Sequence, residues 1–157
     1  MMPTPRVITT SHTPGGALVK EGSCTSFSGM IENTSRNKAI VIDALTSAYA
    51  KRDFTALERW FAPDYIQHNA FIPGKRAGLR SFIERLPAGR TYEHGMIIAE
   101  GDLVMVHGRY SGGDRKTFIA VDIFRFDGDR VVEHWDVLQE EVPAEKTLAG
   151  NAMFTRP

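Results

Sequence analysis

The sequence predicts an α+β fold, in which a curved and mostly antiparallel sheet is packed by three N-terminal helices around a pocket. Three observations carry this expectation. Apolar residues between Ile40 and Leu86 recur at helical spacing. After Arg90 the period changes to two, over four runs separated by short turns. Helices that precede the strands, instead of alternating with them, belong on one face of a sheet whose sequential strands form a meander.

Residues 1–34 are rich in Thr, Ser, Pro and Gly and read as a flexible tail, since they hold too little apolar surface to offset their ordering entropy. The folded domain is expected over 35–142, and 143–157 is expected to be a second tail. Ser35 suits a helix N-cap, and Ile40, Val41, Ala44, Leu45, Ala48 and Tyr49 follow as one apolar face. Asp53 suits the cap of a shorter helix whose stripe is Phe54, Leu57, Trp60 and Phe61, with Pro63 ending it. Asp64 to Asn69 reads as short and extended, and Pro73-Gly74 as a turn. A third helix is expected from about Ala77 to Leu86. The strands are expected over Tyr92–Ala99, Leu103–Tyr110, Lys116–Phe126 and Arg130–Gln139. Asp127-Gly128-Asp129 between the last two is a hairpin signal, because glycine accepts the positive φ of a tight reversal.

Composition narrows the function classes. The 157 residues carry a net charge of +0, with no basic stripe to follow a nucleic-acid backbone. No apolar run is long enough to span a bilayer, and the N-terminus lacks the apolar core of a signal peptide. The lone Cys24 excludes an internal disulfide and fits a reducing, cytoplasmic setting.

Strand alternation isolates one carboxylate. In the third long run Phe118, Ala120, Asp122, Phe124 and Phe126 share a face, so Asp122 is the single charge among apolar side chains. Such a group needs a cation, hydrogen bonds or a proton, and in a cavity it can serve as a general acid or base. An ion pair to Arg109 or Arg125 is the structural alternative. His107, on the neighbouring strand, is the expected catalytic partner if the register brings it to Asp122. Both faces of the last strand are mixed: Val132, His134, Asp136 and Leu138 alternate with Glu133, Trp135 and Val137, and the sequence leaves open which one lines the pocket. His68 lies in a polar extended segment that borders an opening. Trp60, Tyr65, Phe124 and Trp135 are candidate apolar walls. His68, His107 and His134 with Asp122 form a conceivable metal set, but no tight spacing such as HExxH supports one, so no metal or other cofactor is expected. No glycine-rich phosphate loop or nucleophile elbow occurs.

The segments Tyr65-Ile66-Gln67-His68-Asn69, Val121-Asp122-Ile123-Phe124-Arg125 and Arg130 to Val137, with its Glu133-His134-Trp135-Asp136, resemble the SnoaL-like polyketide cyclases of the nuclear-transport-factor-2-like superfold. The resemblance covers roughly Ser35 to Glu141. Asn151-Ala152-Met153-Phe154 is similar to the tail of a bacterial subgroup with aldol-type activity. The resemblance implies a cone-shaped barrel, a homodimer packed through the sheet, and cofactor-independent proton transfer by an acidic pocket residue that Asp122 matches. His107 falls where a pocket histidine is expected. His68 and His134 match motif positions without a transferable role. The expected function is therefore acid–base catalysis, of aldol, isomerase or related type, on a small hydrophobic carbonyl compound. The alternative is a non-catalytic ligand-binding or dimerisation module, since one fold hosts many functions.

Overall fold

A computed structural model describes residues 27–156. The expected tail through residue 26, Cys24 included, lies outside the described residues. Helix α1 spans Phe27–Leu45 and widens into a π-helical turn over Thr46–Lys51. Helix α2 spans Thr55–Trp60, strand β1 Phe61–Gln67 and helix α3 Lys75–Glu84. The remaining strands are β2 Arg90–Glu100, β3 Leu103–Gly112, β4 Phe118–Asp127 and β5 Arg130–Glu140. They form one sheet in the order β1-β5-β4-β3-β2, antiparallel except for the β1–β5 pair. The α+β class and its helix-backed sheet are as the sequence predicts.

Some elements differ from expectation. Helix α1 begins at Phe27, and Ser35 lies within it and caps nothing. Residues 31–36 are mostly exposed, so these turns carry no apolar stripe to signal them. Once the buried turns beyond Asn37 nucleate the helix, extending it costs little. The segment after α2 is also longer than expected. Pro63 lies inside β1, an edge strand, where a missing N–H is tolerated. The second helix starts one residue later than expected, with Phe54 in the cap position, while Asp53 Oδ1 accepts hydrogen bonds from the Thr55 backbone N–H and hydroxyl just before it.

The core lies between the helices and the concave face of the sheet. Ile40, Val41, Ala44, Leu45 and Ala48 of the first helix meet Val104, Val106, Ala120, Phe124 and Val131. A bulge at Val132 lets both Val131 and His134 face inward, which simple alternation does not allow. On the convex face the C-terminal segment turns back over β2 and β3. The Val142 N–H donates to Met153 Sδ, Phe154 packs on His107, and Arg156 pairs with Glu93. Gly95 makes room for this segment, because a Cβ there would lie 2.6 Å from the Thr155 carbonyl oxygen.

Candidate active site

The concave side of the sheet and the three helices enclose a cavity of about 630 Å³, within the range of small-molecule sites. Its walls include Ala48, Leu57, Leu79, Phe82, Phe118 and Phe124. Tyr49 reaches it from the π-helical turn of the first helix. One end of the cavity is polar, and Asp122, His134, Asp136 and Asn69 line it.

Asp122 is 2 % exposed and His134 is 7 % exposed. They are brought together because Asp122 pairs with Asp136 across β4 and β5, and His134 follows on the same face. His134 Nε2 lies 3.3 Å from Asp122 Oδ1. The Tyr110 hydroxyl donates to Asp122 Oδ2 at 3.0 Å. The other ring nitrogen, Nδ1, lies 2.9 Å from Gln67 Oε1. The Gln67 amide cannot be turned the other way, because the Asn69 backbone N–H donates to this same oxygen at 2.9 Å. Its Nε2 donates to the Tyr65 hydroxyl oxygen at 2.8 Å. A carbonyl oxygen facing Nδ1 requires a proton on Nδ1.

The consequence falls on the other side of the ring. With Nδ1 protonated, a neutral His134 offers only a lone pair at Nε2. That lone pair cannot face an ionised carboxylate without a proton between them. Asp122 and His134 therefore hold one proton as a unit, either as carboxylic acid and imidazole or as carboxylate and imidazolium.

Asp136 lies beside this dyad. The Asn69 side-chain amide donates to both of its oxygens, at 2.8 and 2.7 Å. Burial holds its carboxyl above the ordinary aspartate value, and the Asp122 charge adds to the rise; the Asn69 bond and His134 oppose it. Asp136 is thus a stronger base than an exposed aspartate. Burial also pushes Tyr110 and Tyr49 well above the usual phenol value, with the Asp122 charge next in importance, so both keep their protons. Asp122, His134 and Asp136 also present donor atoms all within 4.8 Å of one another, and this trio could hold a metal ion.

The sequence-predicted residues divide accordingly. Asp122, Phe124 and His134 line the cavity. His107 does not, and its expected pairing with Asp122 is corrected. In β3 it is Val106 that pairs with Asp122, whereas His107 pairs with Val121 and points to the convex face. There its Nδ1 is buried against Phe154 with no hydrogen-bond partner among the described residues. His68 and Trp135 stack on each other at 5.0 Å on that convex side, and His68 bonds Glu133. Trp60 donates to Asp43 between two helices, away from the cavity. Tyr65 is buried and does not line the cavity; its hydroxyl oxygen accepts from Gln67 and its ring packs on Phe61. The ion pairs to Arg109 or Arg125 weighed for Asp122 do not form. Arg109 pairs with Glu93 and Glu141, and Arg125 with Asp102 and Glu133. The histidine set does not converge, and only His134 reaches Asp122.

A family model for the SnoaL-like domain matches residues 42–134, more than half of the chain. The chain belongs to the SnoaL-like family. Solved structures similar to this SnoaL-like protein include TsrD from Streptomyces laurentii, at 20% identity and a TM-score of 0.59 over 67% of this chain and 89% of that one. A protein assigned as a polyketide cyclase from Acidithiobacillus ferrooxidans is 18% identical, with a TM-score of 0.58 over 68% and 89% of the two chains. An LEH-like epoxide hydrolase of M. tuberculosis is also 18% identical, at 0.56 over 68% and 85%. At these identities the likeness is one of fold, the cone of the nuclear-transport-factor-2-like proteins. No curated protein sequence matches the chain. Among the described residues no helix is long and apolar enough to cross a membrane.

Proposed function

We propose that this SnoaL-like protein is a cofactor-independent acid–base enzyme acting on a small, mostly apolar carbonyl compound. The observation that carries the reading is the one-proton dyad of Asp122 and His134 beside a basic Asp136, at the polar end of an apolar cavity. Asp136 takes a proton from the carbon next to the carbonyl. The electron pair moves onto the carbonyl oxygen, the dyad gives that oxygen its proton, and the proton taken up by Asp136 passes to the dyad in its place. In an aldol-type step the carbanion attacks a second carbonyl, whose oxygen receives the dyad's proton instead. Asp122 thus keeps the acid–base role that the sequence suggests, and His134 takes the place expected of His107. Groups whose environments separate their proton affinities divide acid from base in this way.

Proton exchange at carbon tests the chemistry without a known substrate. Acetophenone, indanone and tetralone in heavy water, followed by NMR, should lose their α-protons faster with the protein. Asp122→Asn and Asp136→Asn should each cut that acceleration on the order of 100-fold or more. Full exchange in both variants overturns the reading, and no acceleration by the native protein favours the non-catalytic binding module. The Asp122–His134–Asp136 trio supports a second reading, metal-assisted chemistry, which elemental analysis of the purified protein separates from the first.

We further propose a homodimer packed through the convex face of the sheet, in the reducing cytoplasm. Ile66, Met96, Ile98, Met105 and Val137 are exposed there, an apolar surface of the kind that marks an interface. Light scattering on the eluted protein decides the oligomeric state.

A further inference from the structure

The cavity has a second polar feature, built on a buried cation. Arg90, the first residue of β2, is 8 % exposed and lines the cavity. Its Nη1 donates to the carbonyls of Gly112 at 3.0 Å and Lys116 at 3.3 Å. These bonds fix the guanidinium against the β3–β4 turn. Its Nε is buried, and neither Nε nor Nη2 makes a hydrogen bond with any described residue. Nε and Nη2 form one edge of the guanidinium fork, and that edge matches the two oxygens of a carboxylate.

No described residue supplies an anion for this edge. Among the described residues Arg90 has no acidic partner, and neither do Arg85 or Arg115, which line the same cavity. Arg80, Arg109 and Arg125 do have acidic partners, in Glu58 and Glu84, Glu93 and Glu141, and Asp102 and Glu133; Arg52, Arg76 and Arg130 donate to backbone carbonyls as Arg90 does, but they do not line the cavity. Three guanidinium charges thus face one uncompensated carboxylate, Asp136, since the Asp122–His134 unit is neutral. The lining has an excess of two positive charges. A buried donor left unmet is costly, and an anion on this edge would satisfy it. Burial also pulls the Arg90 guanidinium below its ordinary value, the direction expected of a cation without its counter-ion.

We propose that the substrate is an organic anion, an apolar carbonyl compound whose carboxylate seats on the Nε–Nη2 edge of Arg90, with Arg85 and Arg115 at the same cavity. The assignment of the reacting end rests on the acid–base reading above, whereas the anion site rests on Arg90 alone. The substrate class is thereby narrowed from hydrophobic ketones to keto acids.

Isothermal titration of the full chain with benzoylpropionate and benzoylbutyrate, each against its primary amide, tests this. The acids should bind about tenfold or more tightly than the amides, and added salt should narrow the gap. Arg85→Gln and Arg115→Gln, both at exposed positions, should each weaken the acids severalfold and leave the amides unchanged. In a folded Arg90→Met variant the preference should vanish, and Arg90→Lys should recover only part of it. Native protein that binds acids and amides equally, or neither at millimolar concentration, overturns the proposal. So does a preference that survives in folded Arg90→Met. The same titration on Asp122→Asn separates the two readings. Acid preference kept with α-proton exchange lost supports both, whereas exchange that depends on Asp122 without any acid preference removes the anion site alone.

Discussion

The four tyrosines make the packing around the cavity testable by alkali. Tyr49, Tyr65, Tyr92 and Tyr110 are all the tyrosines of the chain, and burial pushes each phenol above its ordinary value of 10.0. An unfolded chain ionises its tyrosines near pH ~10. The folded state still holds these protons when the unfolded state has lost them. Their contribution to stability is therefore fully present below about pH 10 and is lost as the pH rises toward the folded values. Tyr65, Tyr92 and Tyr110 are 2, 7 and 7 % exposed. Each withdraws about 1.4 kcal/mol per pH unit, so the three together withdraw about 4 kcal/mol per unit. A domain stable by roughly 5–15 kcal/mol should then unfold within about one to four units above pH 10. The assay is a titration that follows phenolate absorbance and far-ultraviolet circular dichroism together. Phenolate should appear in one cooperative step that coincides with loss of the dichroism. Reversible ionisation of three or four tyrosines near pH ~10, with the dichroism intact, would refute the buried arrangement.

Three substitutions probe other parts of the account. Gly95→Ala should cost about 1–3 kcal/mol in urea denaturation and expose the C-terminal segment to protease, because the new methyl collides with the Thr155 carbonyl; unchanged protease resistance would contradict that packing. His107→Leu should leave α-proton exchange intact and stability unchanged or slightly higher, since it removes a buried nitrogen with no hydrogen-bond partner among the described residues; loss of exchange would restore His107 to the chemistry. Asp136→Asn should lose exchange while matching or exceeding the native protein in thermal stability at neutral pH. The folded carboxyl is raised, so its ionisation opposes folding as the pH rises above the ordinary aspartate range. The stability gap should close in acid, and a variant less stable only at neutral pH would reverse that sign.

The fold was largely legible because its signals are local. The apolar stripe from Ile40 to Ala48 and the alternation of β4 mark their elements without reference to anything distant. The same alternation isolated Asp122, and that position lies in the cavity. What escaped the sequence depends on register. Whether His107 or Val106 faces Asp122 turns on one residue of offset across the long β3–β4 turn. One signal was present: Val104, Val106 and Tyr110 make a more apolar set than Met105, His107 and Arg109, which marks the latter as the outward face. The bulge at Val132 disguised the last strand in a similar way, since it places Val131 and His134 on one side. Gln67 and Asn69 lie in a segment that resembles the family, and Tyr110 lies in the apolar set of β3, but nothing local assigned a role to any of these residues or to Arg90. Their roles exist only because the parallel β1–β5 pairing sets Gln67 beside His134, and because the β3–β4 turn offers its carbonyls to Arg90.

The central claim is that Asp122 and His134 carry one proton between them with Nδ1 of the ring always protonated. Nitrogen NMR of the imidazole, with the signal assigned by its loss in His134→Gln, tests this most directly. The account predicts a protonated Nδ1 at every pH at which the domain is folded, either as the Nδ1–H tautomer or as imidazolium. A neutral His134 with its proton on Nε2 and a bare Nδ1 would contradict it.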